Sequence, residues 1–380
     1  MSDFLEGKRL HFPRFFFLSN DELLAILSET RDPTRVQPHL RKCFRNINSL
    51  EFDAAQCICA MRSQEGERVA LLHTIKPSDV DNMAEKWMLL LENEMRASLR
   101  DAIRQSLEAY PTKKREEWAL QWPQQVALTV ASITWTASMT QALASRSLRA
   151  LEAVDTALSL QHESLLELVR GSHTAVEYLT LNSLITADVH ARDVTSSLLK
   201  RRVTDVMDFD FQSQMRVFWE NESVFVRMLN STLEYAFEYI GNSSRLVITP
   251  LTERCFRTLL SAIQLNFGGS VEGGSVTGKT ETVKELAKCL AKHCIVFNCS
   301  ESLDYRATAK FFKGLVGCGA WLCLDEFNRM DLHVLSVVAQ QLLTIQQALA
   351  SSDIARVVVE GTLLPLVREQ SVCVYPPAAP

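Results

Sequence analysis

One run of residues could do chemistry on a phosphate: Gly273-Gly274-Ser275-Val276-Thr277-Gly278-Lys279-Thr280. It fits the pattern G-x-x-x-x-G-K-[ST]. A glycine-rich loop lets backbone N–H groups converge on an anion, and the positive end of a helix beginning at Lys279 adds to the field. The Lys279 ammonium would reach the β- and γ-phosphates of a nucleotide, and the Thr280 hydroxyl would ligate Mg²⁺. The bland alternative is a glycine-rich turn that merely caps a helix. A second run weighs against it: Trp321-Leu322-Cys323-Leu324-Asp325-Glu326. Four apolar residues suit a buried strand, and two carboxylates follow at its C-terminal end, where open α/β sheets bind ligands. Asp325 would complete the shell of Mg²⁺ and Glu326 would polarise an attacking water. An apolar strand ending in Asp-Glu says little alone. Behind the glycine loop, with one strand and one helix between them, the pair is specific, and it implies ATP and Mg²⁺ as cofactors.

Val276 departs from expectation, since loops of this kind often carry glycine there. If its backbone needs φ > 0, a β-branched residue strains it by about 1–3 kcal/mol, which predicts weakened nucleotide binding.

These residues need a scaffold. From about residue 243 short apolar strands alternate with helices: a strand at QLNF, a helix over Thr280–His293, a strand at IVFNC, a helix near Tyr305–Leu315, a strand at AWLCLDE and a helix over Leu332–Ala350. That alternation predicts an α/β domain with a parallel sheet. Ahead of it the chain reads as helical. Met83, Trp87, Leu90, Leu91, Met95, Leu99, Ile103 and Leu107 recur every three or four positions, which predicts an amphipathic helix ended by Pro111. Further helices are expected over 124–143, 147–169, 174–186 and 190–202. The aromatic and β-branched residues after Asp208 predict a β-rich joint reaching about residue 242. At the N-terminus HFPRFFFLSNDELLAILSE reads as a short strand and then a helix capped by Ser19 or Asn20. The expected division is 1–242 and 243–380, and the fold class is α plus α/β.

Composition bounds the partners. The 380 residues are 47% hydrophobic and 22% charged, with net charge −5 and a pI near 6.0, so no basic nucleic-acid face is expected. No stretch approaches the roughly 18 apolar residues that span a bilayer, so no membrane partner is expected. The ten cysteines show no paired spacing and read as free thiols in a reducing compartment, the cytoplasm. His190 with Asp188 and Asp193 reads as a solvated helix face rather than a metal cluster. Lys113-Lys114-Arg115 reads as a surface loop. Asn328 and Arg329 could face a neighbouring module or simply form an exposed turn.

The stretches GKTETVKELAKCLAKHCIVFNCSESLDY and KFFKGLVGCGAWLCLDEFNRMDLHVLSVVAQQLLTIQQAL resemble the first AAA+ module of dynein heavy chains. The runs FPRFFFLSNDELLAIL, VQPHLRKCF, EWALQWPQQV, LITADVHARDV and RLVITPLTERCFRTL are similar to the C-terminal part of the dynein linker and its join to the ring. The style is nearer the axonemal heavy chains. The resemblance implies a long-helix linker arm followed by a P-loop AAA+ ATPase domain, the ATP cycle swinging the arm to drive minus-end-directed movement. It places Leu246, Val247 and Ile248 against the adenine. It implies microtubules as a partner through a binding domain outside this sequence, dynein intermediate and light intermediate chains as partners, and a location in the cytoskeleton and ciliary axoneme.

The resemblance also implies parts this sequence lacks: a sensor asparagine continuing the strand begun at Val372–Tyr375, a small helical lid, and five further modules. One of those modules would supply an arginine finger worth about 10³–10⁵ in rate. The P-loop domain is therefore expected to be incomplete, the chain truncated, and its turnover alone weak or absent. A competing reading is a non-catalytic paralogue acting as a binding or assembly remnant. An unrelated AAA+ remodeller would share both motifs but not the linker-like residues ahead of them.

Overall fold

The computed structural model of the chain describes residues 2–28, 33–274, 276–299, 305–351, 355–367 and 372–375. In chain order the elements begin with helix α1 (Ser2–His11), a 3-10 turn (Pro13–Phe17), α2 (Asn20–Ser28) and α3 (Gln37–Cys43). Strands β1 (Ser49–Phe52), β2 (Ile58–Arg62) and β3 (Arg68–Ile75) precede the helices α4 (Ala84–Ala109), α5 (Arg115–Ala119), α6 (Gln124–Ala144), α7 (Leu148–Val169), α8 (Ala175–Lys200) and α9 (Phe209–Gln212). Next come β4 (Arg216–Glu220), β5 (Ser223–Met228), β6 (Ser231–Glu234) and α10 (Pro250–Gln264). The last stretch holds β7 (Gly269–Ser270), α11 (Lys279–Cys289), β8 (Cys294–Asn298), α12 (Tyr305–Cys318), β9 (Trp321–Asp325), α13 (Leu332–Ala350), β10 (Arg356–Val359), β11 (Thr362–Pro365) and β12 (Val372–Tyr375). The chain divides into two compact units that interleave along the sequence: residues 1–59, 73–94 and 258–380 form one, and residues 60–72 and 95–257 the other.

The first unit is built on a four-stranded sheet of order β7-β12-β9-β8, every pairing of which is parallel. Parallel strands need both faces covered, so they read as continuous apolar runs. Trp321, Leu322, Cys323 and Leu324 of β9 are all buried. The core that Leu322 and Leu324 join continues through Phe312, Leu315 and Val316 of α12, Val338 and Ile345 of α13, and Val357, Val359 and Leu364 of the β10–β11 hairpin. The predicted strand at QLNF is instead the end of α10. Asn266 adopts φ +59°, its amide donates to the Ile263 carbonyl (2.9 Å) and the Phe267 amide to that of Ala262 (2.8 Å). This left-handed cap stops the helix, and the strand begins later, at Gly269.

Phe16, from the far end of the chain, belongs to the same core. HFPRFFF is not a strand as expected. Phe12, Phe15 and Phe16 are buried at helical spacing, three and four residues apart, and Pro13 opens a 3-10 turn where its missing N–H costs nothing. Of the two caps considered for α2, Ser19 is the one used. The Glu22 amide donates to Ser19 Oγ (3.2 Å) and the Ser19 amide to the Glu22 carboxylate (2.9 Å), a capping box. Arg14 is 1% exposed and compensated by Glu92 at 3.1 Å and by the Cys43 carbonyl at 3.1 Å.

In the second unit α6, α7 and α8 pack around Met139, Leu143, Leu151, Val194, Leu198 and Phe211. The two helices expected over 174–202 are one, α8. No glycine or proline interrupts it, and Thr174 closes a capping box with Glu177. Asp188 sits where the break was expected, and it is not solvated. It is buried and accepts two hydrogen bonds from Arg115 Nη2, at 3.0 and 3.2 Å. Burial pushes the Asp188 carboxyl up and the Arg115 guanidinium opposes that shift. Arg115 in turn lies over the rings of Trp118 (4.8 Å) and Tyr110 (5.4 Å). One residue of the predicted surface loop is thus an interior ion-pair partner, because a cation stacked on two aromatic rings can leave water without being stranded. The expected β-rich joint is present as the antiparallel sheet β4-β5-β6. Asn221 and Glu222 both take positive φ in its first turn, as tight hairpins require.

The cysteines from Cys43 to Cys323 are free, and burial pushes Cys43 and Cys323 up to about 12 and Cys294 and Cys299 up to about 11, from 9.0. A group raised in the fold contributes stability that is complete below its unfolded value and lost as pH climbs toward the folded value. Lys310, pushed by burial down to about 8 from 10.5, acts in the opposite direction between those values, but as one group against four. The urea midpoint is therefore expected to fall between about pH 9 and pH 10.5, where the thiols' loss outweighs it, and an unchanged or rising midpoint there would contradict this. Glu92→Ala strands the buried Arg14 guanidinium and should cost about 3–5 kcal/mol in urea unfolding. A loss under 1 kcal/mol would show that the pair is not buried in solution.

Candidate functional site

The glycine loop follows β7, at one side of the parallel sheet. Gly278 takes φ +85° and is the N-cap of α11. It has no side chain to cap the helix, so the first-turn N–H groups keep their capacity to donate to an anion. Gly273 lies close to the loop's own side chain: a Cβ there would stand 3.3 Å from Thr277 Oγ1, which would have to give by a few tenths of an ångström. Thr277 Oγ1 donates to the Gly274 carbonyl at 2.8 Å, tightening the loop on itself. Lys279 folds over it, its ammonium donating to the carbonyls of Gly273 (2.6 Å) and Gly274 (2.9 Å). Ser275 lies outside the described residues.

Val276 has φ +60° and is fully exposed. A positive φ is the condition under which the sequence reading expects strain at this β-branched residue. If the loop keeps this conformation on binding, the cost is borne equally before and after, cancels from the affinity and remains in the stability of the fold.

The second motif stands at the same end of the sheet. In β9 the parallel register sets Asp325 opposite Asn298, the last residue of β8. The Cys299 amide donates to the Asp325 carbonyl at 2.9 Å, locking the two strand ends together. Across the site, Thr280 Oγ1 donates to Asp325 Oδ2 at 3.1 Å. The two residues assigned to Mg²⁺ are thereby in direct contact, one from the start of α11 and one from the end of β9. A hydroxyl and a carboxylate oxygen at that separation form a hard-oxygen donor set of the kind Mg²⁺ takes alongside phosphate and water oxygens. Glu326 follows in the left-handed region (φ 52°, ψ 41°), a conformation a non-glycine residue keeps only when its surroundings impose it. Its carboxylate pairs with Arg329 Nε at 2.9 Å, and the Arg329 amide donates back to the Glu326 carbonyl at 3.0 Å.

Two neighbours were not assigned from sequence. Arg329 was weighed only as module-facing or as a plain turn, and Asn298 was not placed at the site. The signal for Asn298 was available, since an apolar run ending in a polar residue is what singled out Asp325. Leu246, Val247 and Ile248 belong to the other compact unit, in coil ahead of α10, with Leu246 and Val247 exposed. His190 lies 3.8 Å from Glu253 rather than on a solvated face, and no group of three or more metal-ligating side chains occurs among the described residues. Nor is any helix among them long and apolar enough to cross a membrane.

Two family models match the chain. "Dynein heavy chain, N-terminal region 2" covers residues 1–106, and "Hydrolytic ATP binding site of dynein motor region" covers residues 235–376. Similar proteins include dynein axonemal heavy chain 12 of Mus musculus and dynein axonemal heavy chain 3 of Homo sapiens, each 52% identical over 366 residues or 96% of this chain. The chain belongs to the dynein heavy chain family. Dynein axonemal heavy chain 1 of Mus musculus is 48% identical over 367 residues. The chain spans only 12%, 9% and 8% of the lengths of these three relatives. Dynein heavy-chain kinship with the ATP-binding region accounts for a loop and a carboxylate strand meeting at one sheet end.

Because the strain at Val276 sits in the folded loop, Val276→Gly is expected to raise unfolding stability by up to about 1 kcal/mol, the gain being partly offset by the extra freedom of glycine in the unfolded chain. Nucleotide affinity should stay within about twofold. Tighter binding without added stability would place the strain in the bound state instead.

Proposed function

We propose that this chain is the ATP-binding, hydrolytic-site segment of an axonemal-type dynein heavy chain. The observation that carries the reading is the Thr280–Asp325 contact at 3.1 Å, with Lys279 in the same loop. Residues 243–380 would hold the nucleotide chemistry as an incomplete P-loop AAA+ domain, and residues 1–242 the linker arm with its β-rich joint. The backbone of Gly273, Gly274, Ser275, Val276, Thr277 and Gly278 would cradle the phosphates. Lys279 would leave the Gly273 and Gly274 carbonyls for the β- and γ-phosphates. Thr280 and Asp325 would hold Mg²⁺, which when bound neutralises charge on the transferring phosphoryl group. Glu326 would accept a hydrogen bond from the attacking water once Arg329 releases it. Leu246, Val247 and Ile248 would cover the adenine.

In the full-length protein, hydrolysis here would drive the arm's swing and minus-end-directed movement on microtubules. The setting would be the cytoskeleton of the ciliary axoneme, with dynein intermediate and light intermediate chains as partners. The Glu326–Arg329 pair favours a second reading for this chain alone: nucleotide is bound and turnover is slow or absent, because the water-polarising carboxylate is engaged.

Titration with a fluorescent ATP analogue and Mg²⁺ tests the first reading. Lys279→Ala removes charge-assisted hydrogen bonds and should weaken binding about 10- to 100-fold. Glu326→Gln should leave binding within about twofold and abolish whatever turnover the wild type shows. No binding by the wild-type chain would overturn the reading.

A further inference from the structure

Arg14 and Arg115 leave water with a carboxylate each, Glu92 and Asp188. Arg216, at the start of β4 in the second unit, leaves water without one. It is 6% exposed and its Nε is buried. No carboxylate, carbonyl or hydroxyl among the described residues accepts a hydrogen bond from its guanidinium. Two rings lie near it, Phe211 at 5.6 Å and Phe218 at 6.0 Å. Those distances stand at the outer limit of cation–π attraction, so the rings replace little of the lost hydration. Directly opposite, in the antiparallel register of β4 and β5, stands a second cation, Arg227. Like charges facing each other across a sheet repel. Arg227 is engaged further along β4: it lies over Phe218 at 4.6 Å and donates to both oxygens of Glu220, at 2.9 and 2.6 Å. Glu220 cannot serve Arg216 as well, because four residues along a strand separate their backbones by about 13 Å. Carboxylates on neighbouring elements are engaged elsewhere. Asp208 accepts from the Asp210 amide (2.8 Å), Asp210 pairs with Arg201 (2.7 Å), and Glu234 accepts from Ser223 Oγ (2.6 Å). Burial, and after it the charge of Arg227, push the Arg216 guanidinium down from its ordinary value.

We propose that Arg216, with Arg227 opposite it, is a binding site for a small oxyanion, a phosphate or a carboxylate group, which supplies the counter-charge that this sheet lacks. A buried guanidinium without a partner is costly, and an anion removes that cost. The planar fork offers parallel N–H groups to two oxygens of one such group, the strongest form of charge-assisted hydrogen bond. The charge count fits a monoanion: two guanidinium groups against the one carboxylate of Glu220 leave a single positive charge. The size fits as well. So little of Arg216 is exposed that only a small anion, or the terminal acid group of a larger molecule, reaches it. The site is separate from the glycine loop in sequence and belongs to the other compact unit.

The urea midpoint of the full chain, followed as inorganic phosphate or acetate replaces chloride at constant ionic strength, tests this. An anion bound only by the folded chain raises the midpoint along a saturation curve, whereas a general salt effect does not saturate. In the wild type at least one of the two anions should give a saturable rise, with half-saturation at roughly 1 mM or below. The anion that saturates at the lower concentration separates phosphate from carboxylate. Lys279→Ala, which removes the cation of the glycine loop, should leave the rise unchanged. Arg216→Met should abolish it. Should Arg216→Met fail to fold, Arg216→Lys keeps the charge but loses the planar fork, and should raise the half-saturation concentration about tenfold or more. No saturable rise with either anion would overturn the proposal. So would a rise that persists in Arg216→Met, one unchanged in Arg216→Lys, or one lost in Lys279→Ala, which would place the anion in the glycine loop.

Discussion

The hydrogen bond from Thr280 Oγ1 to Asp325 Oδ2 joins the two halves of the site, and its geometry depends on nearly everything around it. Asp325 is where it is because four buried residues ahead of it fix β9 inside a parallel sheet, between β12 and β8. Thr280 is where it is because Gly278, in the left-handed region, turns the chain from the loop into α11. A displacement of either element by an ångström would separate two oxygens that a small, strongly hydrated cation needs side by side. The sheet is thus less a container for the site than the device that sets one distance.

That sheet does not keep its core to itself. Phe16, near the N-terminus, shares a core with Phe312, Leu322 and Val338, so segments far apart in the sequence form one compact unit. Two glycines on α12 make the approach possible, since a helix without Cβ atoms can be packed against its backbone. The charges drawn in with the N-terminal segment are matched: Arg14 by Glu92, and Lys313 by Glu6. In the other unit Arg115 and Asp188 do the same between α5 and α8. Such pairs add little net stability compared with apolar groups of the same shape, but removing one partner is costly, which ties each segment to a single partner.

Most elements were legible because their signals are local. The stripe from Met83 to Leu107 has the helical period, and α4 covers all of it but Met83. The strands at Cys294–Asn298 and Trp321–Asp325 are short apolar runs bounded by polar residues, and both formed. The misreadings share a cause. HFPRFFF has strand-like composition, yet its burial follows three- and four-residue spacing set by α12, an element almost three hundred residues away in sequence. Asp188 read as part of a solvated helix face because its partner, Arg115, could not be seen from its neighbourhood. At the start of QLNF α10 was still running, to Gln264, and Asn266 then took a left-handed turn.

The sequence by itself determined the chemistry on offer: a lysine, a threonine and two carboxylates, in an order and spacing that few functions other than phosphate handling use. It also determined that Val276 would be strained if the loop turned left-handed there, since β-branching is a property of the residue alone. Only the tertiary structure decided that Thr280 and Asp325 touch, that Glu326 is held by Arg329, and that the N-terminal turn lies on α12. Each of these depends on strand register and helix packing. Those arise from burial summed over many weak contacts between distant segments, and no local pattern of residues encodes that sum.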